Sequence, residues 1–180
     1  MKKKNFYISI FSLVILDQII KIIIKELYFA NTYELIHNIF YFKPYINTDY
    51  SWINSLFNLN ISLFIHLSFV TITGIIMFFS YDYIKYHNYN SKIIRILFVF
   101  WFSGVICSFI DKVFWGGSLD YIYLKPLFIF DLKDCYIAIG EILSILLIIK
   151  HWNDLNDFKV TDLIKYSVER IKNIISSINI

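Results

Sequence analysis

The stretch GVICSFIDKVFWGGSLDYIYLKPLFIFDLKDCYIAIG, residues 104–140, decides the fold. An apolar run ends at Asp111-Lys112, and a Gly116-Gly117 turn follows. Asp120 then sits among aromatic and aliphatic residues, and Asp134 opens a second apolar run. Carboxylates at the rims of hydrophobic segments are costly in a membrane protein and mark function. Two carboxyls brought close cannot both ionise cheaply, because like charge and low dielectric raise the pKa of one. Such a pair shares a proton: one member is a general base for water, the other an acid toward a scissile carbonyl. Spacing alone equally allows a helix N-cap at Asp134 and an ordinary loop carboxylate at Asp120.

The rest of the chain supports a membrane setting. Of its 180 residues, 58% are hydrophobic, 20% aromatic and only 17% charged, which excludes an ordinary soluble domain. A net charge of +3 without a soluble basic domain argues against nucleic acid as a partner. Cys107 and Cys135 show no metal-ligand spacing, and neither reads as disulfide or zinc.

Four spans are expected, at about 5–25, 61–80, 93–111 and 134–150, each long enough for a hydrocarbon core of roughly 30 Å. The first resembles a signal peptide. It lacks a small-residue cleavage site and continues through Asp17, Gln18 and Lys21, so a retained helix is expected. Residues 26–60 carry two short aromatic stretches, Ile39–Phe42 and Tyr50–Ile53, that suggest strands or an interfacial sheet outside the membrane. Residues 80–92 and 111–133 read as loops. In 151–180, Val160, Leu163, Ile164, Val168, Ile171, Ile174, Ile175 and Ile178 recur at helical spacing between charges. That pattern makes an amphipathic helix on the membrane surface, or a partner-binding helix. The expected fold is thus an all-α membrane protein. A four-helix transmembrane domain (1–150) carries a small extracytoplasmic β-rich segment and an amphipathic tail (151–180).

Segments 1–4, 80–95 and 150–180 hold 3, 3 and 5 Lys or Arg, whereas 26–60 and 114–132 hold only Lys43 and Lys125. Both termini are therefore expected inside. Trp52 and Trp115 mark the outer interface and Trp152 the inner one. Asp120 and Asp134 then lie at the outer face.

Other polar residues gather toward them. Asp17 and Lys21 are i,i+4 and share a helix face, as an ion pair holding the first helix to the bundle or as a positioning group. Asp111-Lys112 closes the third span and could orient the same cluster. Asn47-Thr48 could bind substrate backbone or simply turn the chain. His66 and Glu141 lie at similar depths within spans and are candidate partners. A metal site built from them and an aspartate is disfavoured.

In order along the chain, Asp17-Gln18-x-x-Lys21, Asn47-Thr48, Asp111-Lys112, Gly117-Ser-Leu-Asp120-Tyr and Phe130-Asp-Leu-Lys-Asp134 resemble the motifs of the lipoprotein signal peptidases, the type II signal peptidases. The resemblance covers roughly residues 10–140. It implies an aspartyl protease of the bacterial inner membrane that removes signal peptides from prolipoproteins before a diacylglyceryl-modified cysteine. Its catalytic pair falls on Asp120 and Asp134, and its supporting residues on Asp17, Lys21, Asn47, Asp111 and Lys112. It implies prolipoprotein signal peptides and membrane lipid as partners, and no metal or organic cofactor; a monomer is expected. The sequence departs from the family pattern at Cys107-Ser108, at Lys112 in place of Arg, and at Asp131 and Lys133 in place of Asn and Ala. Two rival functions are a catalytically inactive paralogue that binds lipidated peptides and a small proton-coupled transporter using Asp17, Lys21 and Glu141.

Overall fold

The computed structural model describes residues 3–87, 91–150 and 159–178. The elements run α1 (Lys3–Ile23), β1 (Tyr33–Ile36), β2 (Phe40–Asn47), α2 (Trp52–Phe57), α3 (Leu63–Tyr86), α4 (Lys92–Ile110), β3 (Ser118–Leu124), β4 (Phe128–Phe130), α5 (Leu132–Lys150) and α6 (Val160–Ile178). Trp152 and residues 151–158 of the expected tail lie outside the described residues.

The chain is mostly helical with one small sheet. Among the described residues, three helical stretches, Lys4–Tyr28, Leu63–Tyr86 and Lys92–Trp115, are long and apolar enough to cross a membrane. Burial is reversed relative to a water-soluble protein. Phe11, Phe64 and Ile149 project outward, Phe64 with 79% of its surface exposed. Asp17, Lys21, Asp111, Lys112, Asp131 and Lys133 are instead enclosed. An exterior that is apolar along whole helices is covered by something other than water.

Helix α4 is the central post, packed against α1, α3 and α5. Phe6, Ile10 and Val14 of α1 meet Met77 of α3 and Leu97, Phe98, Val99 and Cys107 of α4. Gly104 brings α4 and α5 together: a Cβ there would stand 2.6 Å from Ile137 Cγ1. Both α1 and α4 unwind at their ends into a π-helical turn, Ile24–Tyr28 and Asp111–Trp115. Such turns re-aim side chains and are frequent at functional sites.

The sheet is antiparallel, four-stranded and ordered β1-β2-β3-β4. The expected stretch Ile39–Phe42 falls at the start of β2, whereas β1 lies ahead of it in the same 26–60 region, outside both expected stretches. The region 111–133, expected as a loop, supplies β3 and β4 and so forms half of the sheet. Tyr50–Ile53, expected to be extended, instead leads into α2. The Ser51 side chain accepts the Asn54 N–H at the start of α2, and left-handed Asn58 closes its end. Residues 80–92 are not all loop either, because α3 continues to Tyr86.

Candidate active site

Side chains from five elements, α1, β2, the end of α4, β3 and the start of α5, converge at one end of the bundle. Asp17 and Lys21 share one face of α1, their charged atoms 3.0 Å apart. Lys21 Nζ also lies 2.7 Å from Asp111 Oδ2, at the first residue of the α4 π-turn, and 2.7 Å from Asp131 Oδ2. Gln18 donates to Asp17 and Asp111, and Trp115 Nε1–H donates to Gln18 Oε1 at 3.0 Å. The expected Asp17–Lys21 contact is therefore one edge of a larger buried network.

Strand β3 brings the second layer. Ser118 and Asp120 are two residues apart on a strand and share a face. Ser118 Oγ–H donates to Asp120 Oδ1 at 2.7 Å. Asn47 Nδ2 donates to Asp120 Oδ2 at 3.1 Å, while its own oxygen accepts the Asp49 N–H. Asn47 is thus engaged with a carboxylate and with its own turn. Gly117 permits this approach, since a Cβ there would come within 2.7 Å of the Asn47 carbonyl oxygen. The preceding turn needs Gly116, whose φ of +65° lies in the left-handed region.

The start of α5 supplies the third layer. Asp131 Oδ1 accepts the Asp134 N–H, and Asp134 Oδ2 accepts the Asp131 N–H, both at 3.1 Å. This reciprocal arrangement is a capping box. The N-cap is therefore Asp131, and Asp134 lies in the first turn with Oδ1 left over. Both carboxylates also sit at the positive end of the helix dipole.

Oxygens of Asp120, Asp131 and Asp134 all lie within 4.8 Å of one another. That spacing could hold a divalent ion, but Lys133 Nζ already stands among the three, 2.7 Å from Asp131 and 3.6 Å from each of Asp120 and Asp134. The pair is unequal in access: the Asp120 side chain is 5% exposed and that of Asp134 is 42%. Burial pushes the Asp120 carboxyl above the ordinary carboxylate range, against the pull of Lys133. At Asp131 the opposite balance holds: burial is outweighed by Lys133 and Lys21, which keep its carboxyl well below that range. A cavity of about 420 Å³ opens beside Asp120, lined by Tyr45, Asn47, Ser55, Leu127, Phe128 and Ile129.

This arrangement has the parts of an aspartic hydrolase, and similarity to known proteins names the family. Residues 9–150 match the family model described as signal peptidase (SPase) II. The chain belongs to the signal peptidase II family. It is therefore an aspartic peptidase. It is similar to a lipoprotein signal peptidase of Bacillus pumilus (strain SAFR-032), 27% identical over 145 residues that make up 77% of this chain and 88% of that relative. Two solved structures, both described as bacterial membrane enzymes, share the fold at 23% identity, with TM-scores of 0.67 and 0.65. They cover 88% and 82% of this chain and 95% and 94% of their own.

Of the expected site residues, the network joins Asp17, Lys21, Asn47, Asp111, Asp120 and Asp134. Lys112 is enclosed at the rim and donates to Ser108 Oγ, one turn back, at 2.9 Å. The expected His66–Glu141 pairing is not formed. His66 sits against Ser51, Ser62 and the Tyr50 ring, while Glu141 is exposed on α5. Equal depth in two helices leaves their rotation open. The sequence alone gives no role to Ser118, Asp131 or Lys133. The D-x-x-D spacing before an apolar run was the available signal for the capping box.

Proposed function

We propose that this signal peptidase II family member cleaves the signal peptide from lipidated prolipoproteins, with Asp120 and Asp134 as its catalytic pair. The observation that carries the proposal is the approach of their carboxyl oxygens to within 4.8 Å, one side chain enclosed and the other open. That gap admits one water. The pair shares one proton, and its titration belongs to both members. The ionised carboxyl takes a proton from water as the oxygen attacks the scissile carbonyl. The protonated carboxyl gives its proton to the carbonyl oxygen. Collapse of the resulting diol returns a proton to the leaving nitrogen, releasing a new carboxyl terminus and a free amine. Asn47 and Ser118 hold Asp120 in place through both steps.

Residues 1–150 form the peptidase, with α5 as a fourth span beside α4 and both termini on the cytoplasmic side of the bacterial inner membrane. Supports for that orientation are the Lys and Arg bias and the sheet built from the two opposing loops. The apolar flank beside the carboxylates faces lipid and accepts the diacylglyceryl chains. The helix α6 lies at the inner surface. Its Val160, Ile164, Val168, Ile171 and Ile175 are exposed, while Tyr166 and Arg170 bond Asp82 of α3. The enzyme acts as a monomer.

The test is processing of a lipidated prolipoprotein in vesicles by Asp120→Asn and Asp134→Asn. Both variants are expected to lose cleavage. Unchanged processing by either would sink the mechanism, and retained binding without cleavage in the parent protein would favour a lipopeptide-binding role.

A further inference from the structure

Lys133 has three donor hydrogens. Two are committed, to Ser118 Oγ at 2.6 Å and Asp131 Oδ2 at 2.7 Å. The third faces Asp120 Oδ1 and Asp134 Oδ1, each at 3.6 Å, and Asp111 Oδ2 at 3.5 Å. Those separations are long for hydrogen bonds but short for charge. The Lys133 side chain is only 7% exposed, so substrate does not reach it. It acts on Asp120 by two routes, through space and through Ser118, which it clamps and which donates to Asp120.

We propose that Lys133 is a positioning residue for the Asp120–Asp134 pair, its ammonium standing between the two carboxyls to fix their separation and balance their charge. This rests on the reading of those aspartates as catalytic. Proton bookkeeping leaves Lys133 a bystander. One carboxyl gains a proton from water, the other yields one to the carbonyl oxygen, and the ammonium keeps all of its own. Its contribution is a fixed positive charge that both protonation states of the pair experience.

The charged groups facing Lys133 come from every neighbouring element. They are Asp111 and Lys112 at the end of α4, Lys21 on α1, Asp120 on β3, and Asp131 and Asp134 at the start of α5. Four carboxylates against two other cations leave the pair dependent on this ammonium. A nearby opposite charge favours the ionised form of a carboxyl by about 1 to 3 pH units, so both limbs of the rate profile lie at lower pH than they would without Lys133.

The experiment measures kcat, KM and the pH profile of lipopeptide cleavage by the reconstituted protein and by Lys133→Met. A second variant, Asp131→Asn with Lys133→Met, removes one carboxylate along with the ammonium and guards against misfolding. In Lys133→Met, kcat is expected to fall about 100-fold from the displaced pair, with KM little changed and both limbs moved to higher pH. The double variant is expected to move the limbs in the same direction by less. Limbs that stay in place in a folded variant of either kind would overturn the inference and leave Lys133 a structural cation. Asp120→Asn is the control: if it still cleaves, the catalytic pair itself falls and this inference with it. If it is dead while the limbs stay fixed, only the role of Lys133 falls.

Discussion

Lys21 on α1 and Asp131 ahead of α5 meet at 2.7 Å with both side chains fully enclosed. This contact ties the first helix to the helix that carries Asp134. It also makes Asp131 Oδ2 a shared acceptor, since Lys133 reaches the same atom at 2.7 Å. A buried charge of this kind is tolerated only when paired on all sides.

Lys21→Met would leave Asp17, Asp111 and Asp131 short of their common cation. The expected cost is about 3–5 kcal/mol, the range for breaking a buried ion pair by removing one partner. Thermal unfolding in detergent checks this. A variant as stable as the parent would show that the carboxylates had taken up protons instead.

Asn47→Ala removes the amide that donates to Asp120 Oδ2 and the oxygen that holds the Asp49 N–H. A hydrogen bond to a charged group contributes about 1.5–3 kcal/mol, so kcat/KM is expected to drop about 10- to 150-fold. Asn47→Asp, which cannot donate when ionised, should be at least as impaired. Steady-state cleavage of a lipopeptide decides it.

The carboxyl of Asp120 is raised from its ordinary value of 3.8 by burial, which sets a sign for stability against pH. A raised group contributes its full stability below the unfolded value and loses it as pH climbs through the folded value. Asp120→Asn lacks that titration. The melting temperature of the variant minus that of the parent should therefore increase as pH rises from about 4 toward neutrality. A difference that stays flat or declines over that window would show that Asp120 is not destabilised by its enclosure.

Gly117→Ala tests the junction of β2 and β3. The added methyl would stand 2.7 Å from the Asn47 carbonyl oxygen, so the strands must part. Overpacking of this sort costs about 1–3 kcal/mol. Displacement of Asn47 from Asp120 should lower kcat as well. Gly116→Ala would strain a left-handed turn but meets no neighbouring atom, so it should lower stability with a smaller effect on rate.

Much of this was legible in the residues. Apolar run length revealed the long helices, and carboxylates at the rims of those runs pointed to Asp120 and Asp134. The i,i+4 spacing revealed Asp17 with Lys21. What escaped is what depends on distant partners. Strand β3, SLDYIYL, is defined by pairing with β2 across a large sequence separation, and its own pattern is a weak alternation. Tyr50–Ile53 has strand-forming side chains, yet the Ser51 cap turns the chain into a helix. Lys133 looked like a departure beside Asp134, because a long flexible side chain is aimed by the pocket that receives it. The depth of His66 and Glu141 could be counted, but their azimuth could not.

The pairing of β2 with β3 also sets an order of assembly. Asn47 belongs to the segment between α1 and α3, whereas Asp120 belongs to the segment between α4 and α5. The two can meet only after α3 and α4 have been made and both segments lie on the same side of the bundle. Asp134 arrives later still, at the start of α5. With Asp120 and Asp134 as the proposed pair, a nascent chain carries isolated carboxylates until α5 has been made, so cleavage under that proposal also reports that the whole helical bundle has assembled.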